Sequence, residues 1–544
     1  MKIVWIDLNS SYAHSSLALP ALHAQLLHRS DIEWEMVSGT INENPGNIAS
    51  RAFRSQPDIV LATCWLFNHE QLMHVLCRIH ALMPQCVIAL GGPEFLGHNK
   101  TFLHRNDFVN CVFRGEGEET FPLWLEVWNQ PQKWNSIEGL CFIAPDGRYV
   151  DGGISRVQQF DKLVPPEESP YFNWSKPFVQ LETTRGCFNT CAFCVSGGDK
   201  PVRSIPFQTI RHRLNLIQAH GIKNVRVLDR TFNYSLRVAR DLLGLFLQYP
   251  DIRFHLEVHP ALLKDELKTM LQSMPDGMLH VEAGIQSLHE DVLQACRRIG
   301  KLSDSLEGLR FLCQLPNLTC HADLIAGLPL YHLSQIFDDV RTLASLHAGE
   351  IQLESLKLLP GTEMRRRADE LGIRFATLPP YEVVATNEMT PDELQTARLL
   401  SRLIDAYYNT EAWQSITRQL IVEQEDFLYT FLHHLISLDV IDNPMSLEKR
   451  GVILYHFCKA NYPAYVTAVS RAWIEAGMSL KKEPAELVRT KHVTPPDTWT
   501  IIGGEYQEGL RLCKLPGHHH LYWYGFNPDI QGGHPVFSAQ SDME

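Results

Sequence analysis

The stretch Glu182-Thr183-Thr184-Arg185-Gly186-Cys187-Phe188-Asn189-Thr190-Cys191-Ala192-Phe193-Cys194 decides how the chain is read. Three cysteines stand in the order Cys-x3-Cys-x2-Cys. They follow an apolar, strand-like run at Phe178, Val179 and Leu181, and a glycine, Gly186. Three thiolates on one short loop can hold three irons of a four-iron, four-sulfur cluster. No fourth protein ligand is apparent nearby, so one iron stays open for an outside ligand. The alternative is a structural zinc loop. Zinc sites pair a Cys-x2-Cys with two further ligands, and no second pair appears downstream. Cys187, Cys191 and Cys194 are therefore the expected metal ligands and the expected catalytic centre.

This loop resembles that of the radical SAM superfamily, and the aromatic before the last cysteine, Phe193, matches the family pattern. The resemblance implies that the open iron chelates S-adenosylmethionine and that one electron cleaves its sulfonium to a 5′-deoxyadenosyl radical. It also implies an electron donor such as flavodoxin or ferredoxin, and places Phe193 on the cofactor side.

The chain has 544 residues, which suits about three or four domains. Hydrophobic residues make up 45% and charged residues 20%, so a well-buried globular core is expected. The net charge of −13 argues against a broadly basic nucleic-acid surface and makes DNA an unexpected partner. No apolar run approaches the roughly 18 residues of a membrane-spanning helix. Met1-Lys-Ile-Val-Trp-Ile-Asp7 reads as a first strand and has the wrong composition for a signal peptide. The cysteines outside the loop are mostly scattered singly, unlike a secreted disulfide framework. A reducing cytosol is the expected compartment.

Residues 1 to 130 alternate apolar strands with amphipathic helices, which predicts a doubly wound parallel sheet. Ligands of such sheets bind beyond the carboxyl ends of the strands. The loops there are Asn9 to Ser16, Cys64-Trp-Leu-Phe-Asn68, Gly91-Gly92-Pro93-Glu94 and Arg114-Gly115-Glu116-Gly117-Glu118. Residues 131 to 176 read as a hairpin around Pro145-Asp146-Gly147 and an extended, proline-rich linker. From 177 to 375 the strand–helix alternation returns, with six candidate strands. In βα barrels chemistry sits at the carboxyl ends of the strands, where Asp229, Glu257, Gln286, Arg298 and Asp323 fall. Residues 376 to 544 read as a mainly helical domain. It opens on the capping box Thr390-Pro-Asp-Glu393, and its Gly-, Tyr- and Trp-rich end from Thr498 suits strands. His14 is read as a solvated or capping histidine, and His518-His519-His520 as surface.

Gly91-Gly92-Pro93-Glu94 and Gly115-Glu116-Gly117-Glu118 resemble the cobalamin-binding domain that precedes the radical barrel in one branch of the superfamily. The Asp-x-His-x-x-Gly motif that supplies a lower axial histidine is absent. That resemblance assigns Gly91, Gly92, Glu94, Gly115, Glu116 and Gly117 to cobalamin. Leu256-Glu257-Val-His-Pro260, Gly284-Ile-Gln286 and Asp323-Leu-Ile-Ala-Gly327-Leu-Pro329 resemble oxygen-independent coproporphyrinogen oxidase and its relatives. By that similarity Glu257, Gln286, Arg298 and Asp323 hold S-adenosylmethionine. Asp229, in Leu228-Asp229-Arg230-Thr-Phe-Asn233, stands where the superfamily has a glycine-rich stretch. The layout resembles a cobalamin-domain radical SAM family with a C-terminal helical domain of no assigned function. It implies a Rossmann-like sheet, a partial (β/α)6 barrel and a helical domain. The expected function is a radical SAM enzyme, cobalamin-dependent and methylating an unactivated carbon. Its alternatives are a cobalamin-assisted rearrangement or cyclisation, and a nonenzymatic cluster- or cobalamin-binding sensor. The substrate, a small molecule or a modified macromolecule, is open.

Overall fold

The computed structural model describes residues 1–10, 16–476 and 478, and beyond them five strands within 488–541. His14, His518 and His519 lie outside the described residues. The chain divides into two compact units. One comprises Met1–Cys320, Gly327–Tyr331 and Ser355–Pro391; the other comprises His321–Ala326, His332–Glu354 and Asp392–Glu544.

The first unit begins with strands β1 (Lys2–Asn9), β2 (Glu33–Thr40), β3 (Ile59–Thr63), β4 (Val87–Gly91) and β5 (Cys111–Phe113). Helices α1 (Ala18–Ala24), α2 (Pro45–Arg54), α3 (His69–Leu82), α4 (Lys100–Arg105) and α5 (Thr120–Leu125) accompany them. All five strands run parallel. β3 is buried along its whole length, as a strand covered on both faces must be. Val4, Ile6 and Leu8 of β1 join one core with residues of α2 and α3. Ile3 and Trp5, on the opposite face, join a second core with Phe121 and Trp124 of α5. The period-two alternation of an apolar strand thus feeds two layers of helices.

The hairpin at 137–150 is not a separate linker element. β6 (Leu140–Ile143) pairs antiparallel with β5, and β7 (Tyr149–Asp151) with β6. The sheet therefore has seven strands in the order β2-β1-β3-β4-β5-β6-β7. Strand order reverses between β1 and β3, so the ligand crevice of such a sheet falls between the loops after those two strands.

The second strand–helix series begins at β8 (Val179–Leu181). A short antiparallel pair follows, β9 (Thr184–Arg185) with β10 (Arg203–Ser204), and closes the base of the cysteine loop. Then come α6 (Phe207–Ala219), β11 (Asn224–Val227), α7 (Leu236–Phe246), β12 (Arg253–Val258), α8 (Asp265–Ser273) and β13 (Leu279–Gln286). β8, β11, β12 and β13 pair in parallel in sequence order. Helices α9 (Glu290–Ala295) and α10 (Leu302–Cys313) precede β14 (Leu318–Ala326), and α11 (Leu333–Ser345) precedes β15 (Glu350–Ser355). All six expected strands are present. The first unit ends with α12 (Glu363–Arg366) and a small ladder of β16 (Arg374–Phe375) with β17 (Val383–Ala385).

The rest of the second unit is helical from α13 (Pro391–Leu403) through α14 (Glu411–Glu423), α15 (Phe427–Ser437), α16 (Leu447–Asn461) and α17 (Val466–Glu475). Trp413, Tyr407, Phe427, Phe431 and Trp473 are fully buried there, the apolar faces that helices turn towards one another. A five-stranded antiparallel sheet follows, β18 (Val488–Thr490), β19 (Trp499–Ile502), β20 (Arg511–Lys514), β21 (His520–Tyr524) and β22 (Val536–Ser541).

Candidate active site

The cysteine loop leaves the carboxyl end of β8, the end of a βα series where chemistry collects. Backbone bonds fix its course. Cys187 N donates to Asp199 O at 3.0 Å, Cys194 N to Cys191 O at 3.1 Å, and Gly197 N to Cys194 O at 3.0 Å. Gly186 has φ +88°, and a Cβ there would meet Asp199 O at 2.6 Å. Only glycine takes that position without strain. The loop is wedged from outside as well: Ala192 N donates to Cys296 O, and Met364 N to Ala192 O, both at 2.8 Å. Buried Asn189 accepts from Ile299 N at 3.0 Å.

Cys187 and Cys191 are buried and Cys194 is half-buried. Burial pushes the Cys191 thiol up; the Arg298 charge opposes this, while Cys194 and Cys187 add to it. The three sulfurs therefore share one electrostatic neighbourhood. Arg298 Nη1 donates to Cys191 Sγ at 3.7 Å, and its Nη2 donates to Gly284 O. An all-sulfur donor set on one loop, with a guanidinium against one sulfur, fits an anionic iron–sulfur cluster. A fourth thiol, Cys296, is fully buried beside Cys191 and is pushed up to about 12, first by burial and then by Cys191. Sequence spacing gave no sign of it, because 105 residues of chain separate the two.

The remaining expected S-adenosylmethionine residues divide. Along β12 and β13 the apolar residues are buried and the alternate residues, Glu257, Glu282, Gly284 and Gln286, form a half-buried polar row. Glu257 is paired in register with Glu282, and its charge reaches Cys194. Gln286 has φ +72°, and its amide nitrogen lies 2.5 Å from where a Cβ on Gly284 would be. Glu257, Gln286 and Arg298 thus belong to the cysteine-loop end of the first unit. Half-buried Phe193 is on the loop itself. Asp323 belongs to the second unit, where its Oδ1 lies 3.0 Å from His321 Nε2.

Asp229 is engaged by the chain's own donors. It is 0% exposed. Its Oδ1 accepts from Thr183 N at 2.8 Å and Thr184 N at 2.9 Å, and its Oδ2 accepts from the Thr183 hydroxyl. A carboxylate so engaged holds the entry of the cysteine loop. Next to it Phe232 N donates to Glu257 O at 2.7 Å, and Thr231 Oγ1 lies 3.9 Å from Cys187 Sγ. His259, 3% exposed, donates from Nε2 to Ile299 O at 2.9 Å.

The glycine-rich loops of the first sheet also meet the chain's own groups. Glu94 Oε2 accepts from Tyr381 OH at 2.5 Å and lies 3.1 Å from His69 Nδ1. Glu116 accepts from Arg203 and from Val157 N. A Cβ on Gly92 would lie 2.5 Å from Cys64 O, and one on Gly115 would lie 2.2 Å from Ser155 O. These two glycines, with φ near +110°, admit the chain's own backbone. Gly91 and Gly117 are less constrained, their nearest contacts being 3.9 and 3.1 Å.

The crevice at the strand-order reversal offers a different surface. Trp65 and Phe67, at the carboxyl end of β3, are 37% and 39% exposed and stack at 6.2 Å with an interplanar angle of 13°. A cavity of about 270 Å³ opens beyond the ends of β1 and β2, with Asp7, Asn9, Ser38, Thr40, Arg51 and Lys176 in its lining.

Comparison with known proteins agrees with this geometry. Residues 181–343 match the family model of the radical SAM superfamily. Residues 369–467 match a family described as a protein of unknown function (DUF4080). The cobalamin-dependent radical SAM methyltransferase TokK of Streptomyces tokunonensis is 22% identical over 376 residues, 63% of this chain and 53% of TokK. The chain spans about half the length of these curated relatives. Among solved structures, the radical S-adenosylmethionine methyltransferase TsrM from Kitasatospora setae, with cobalamin and a [4Fe-4S] cluster bound, aligns with a TM-score of 0.57 at 16% identity. That alignment covers 72% of this chain and 80% of TsrM. The cobalamin-dependent radical enzyme OxsB, with aqua-cobalamin bound, aligns with a TM-score of 0.61 at 14% identity, over 87% of this chain and 78% of OxsB. The two structural likenesses show a shared fold. Among the described residues no helix is long and apolar enough to cross a membrane.

Proposed function

We propose that this chain, whose residues 181–343 match the family model of the radical SAM superfamily, cleaves S-adenosylmethionine reductively with a four-iron, four-sulfur cluster on Cys187, Cys191 and Cys194. We propose further that it binds cobalamin at the carboxyl edge of its first sheet and delivers a methyl group to an unactivated carbon. The observation that carries the reading is that three thiols of one short loop share an electrostatic neighbourhood at the carboxyl end of a βα series, with Arg298 3.7 Å from one of them.

Held by Cys187, Cys191 and Cys194, a cluster would pass one electron, drawn from a donor such as flavodoxin or ferredoxin, to the sulfonium of S-adenosylmethionine, giving methionine and a 5′-deoxyadenosyl radical. The chain's own residues do the rest. Arg298 sets positive charge against the thiolate side and ties it to the Gly284 carbonyl. Glu257 is a carboxylate acceptor for an ammonium group, and Gln286 an amide donor and acceptor on the same polar row. Half-buried Phe193 on the loop and Phe188 against His259 present apolar surface that keeps water from a reactive species. Trp65 and Phe67 give the macrocycle a stacking floor, and the polar cavity beside β1 and β2 suits its amide side groups. The name of the TokK relative supports the methyl-transfer form of the reading.

The test is anaerobic reconstitution with iron, sulfide and hydroxocobalamin, then turnover with deuterated-methyl S-adenosylmethionine. Extract of a strain lacking the protein serves as substrate pool, and products are read by mass spectrometry. A labelled methyl on a product supports the reading. A product without label points to rearrangement or cyclisation. No uptake of cobalamin removes that part of the proposal.

A further inference from the structure

The cysteine loop closes on the two-residue ladder of β9 and β10, in which Arg185 and Arg203 are direct partners. Two guanidiniums side by side repel each other. Glu116 lies between them. Its Oε1 accepts from Arg203 Nη2 at 2.6 Å; its Oε2 accepts from Arg203 Nη1 at 2.9 Å and lies 3.4 Å from Arg185 Nη1. Arg185 Nη2 donates to Glu118 Oε1 at 2.6 Å and to Glu182 Oε2 at 2.8 Å. Both guanidiniums lie over the Phe160 ring, at 5.4 and 5.7 Å. The segment from Ser155 to Phe160 crosses the same joint. Val157 N donates to Glu116 Oε2 at 2.7 Å, and Val157 O accepts from Arg203 Nη1 at 2.9 Å. Gly115 forms an isolated bridge with Ser155. Burial works to raise the Glu116 carboxyl, but Arg203 and Arg185 outweigh it and hold it below the usual carboxylate range.

We propose that Glu116 is a positioning residue for the cysteine loop: its carboxylate bridges the two arginines at the loop's base, beside Glu118 and Glu182 on Arg185, and fixes the loop against the first sheet. The Gly-Glu-Gly-Glu motif is on this view a joint between sheet and loop. The consequence for catalysis rests on the cluster reading above, whereas the positioning itself does not.

The experiment is hydrogen exchange on the full chain without cofactors. In E116Q, which keeps the shape and removes the charge, amides of residues 186–202 exchange at least tenfold faster than in the wild type. E119A is the control, because Glu119 accepts from Gln158 N and Gln159 N without touching either arginine; it leaves residues 186–202 protected. E116Q/R203M removes both charges and restores protection, which keeps the proposal testable should E116Q alone fold poorly. Wild-type protection in E116Q, equal opening in E119A, or a double variant as open as E116Q overturns the proposal. A parallel measurement on reconstituted protein expects at least tenfold faster iron release to a chelator in E116Q. Wild-type protein that takes up no iron would count against the cluster reading and leave the exchange result standing.

Discussion

Arg298 places Nη1 3.7 Å from the Sγ of Cys191 while its Nη2 donates to the carbonyl of Gly284 near the end of β13. One planar fork thus joins a loop thiol to a strand, a geometry that lysine does not reproduce.

Removing that charge stabilises the oxidised cluster relative to the reduced one. R298M is expected to lower the reduction potential by on the order of 50–100 mV, since net charge and hydrogen bonds to sulfur set it. R298K should fall between the two. Redox titration followed by electron paramagnetic resonance reads the shift. A potential unchanged in R298M contradicts the assignment.

Asp229 holds three donors of the loop entry in a fully buried place. D229A leaves them unsatisfied and should cost about 3 kcal/mol or more, with D229N nearer half of that. Urea unfolding measures both. Iron uptake should decline in the same order, wild type, D229N, D229A. A D229A chain as stable as wild type would show that the bonds are dispensable.

His259 is pushed down to about 3, first by burial and then by the Arg298 charge. The folded chain keeps it neutral where the unfolded chain protonates it, so the unfolded state binds more protons between pH 6.5 and 3. Stability therefore falls as pH drops through that window, by up to about 1.4 kcal/mol per pH unit from this group. In the cluster-free chain H259N should flatten the slope of stability against pH between 6.5 and 4.5. An identical slope in variant and wild type refutes the point.

Trp65 is 37% exposed, so W65A should change stability by no more than about 0.5 kcal/mol. Cobalamin retained through gel filtration after anaerobic reconstitution should fall at least severalfold. Full retention in W65A would place the macrocycle elsewhere.

Much of this was legible in the sequence because its signals are local. The cysteine spacing sits within eight residues, and the strand–helix periods of residues 1–130 and 177–375 read directly as the sheets observed. The partners of the motif carboxylates were not legible. Glu94 meets Tyr381, 287 residues on, and Glu116 meets Arg203, 87 residues on. A glycine followed by an acid looks the same in sequence whether its open space serves a ligand or the chain's own backbone. The loop Cys64 to Asn68 was legible as a strand end, but which of its side chains stand out was not: Trp65 and Phe67 are partly exposed, although large aromatics are usually core. The hairpin at 137–150 was recognisable as a hairpin, but nothing local says that its first strand docks on β5.

The central claim is that Cys187, Cys191 and Cys194 hold a cluster that cleaves S-adenosylmethionine. The most direct measurement is 5′-deoxyadenosine formed by the anaerobically reconstituted chain with dithionite and S-adenosylmethionine, followed by chromatography and mass spectrometry. The account predicts 5′-deoxyadenosine from the wild type and none from a chain with all three cysteines replaced by alanine. A reconstituted wild type that yields neither 5′-deoxyadenosine nor any other S-adenosylmethionine breakdown product would contradict it.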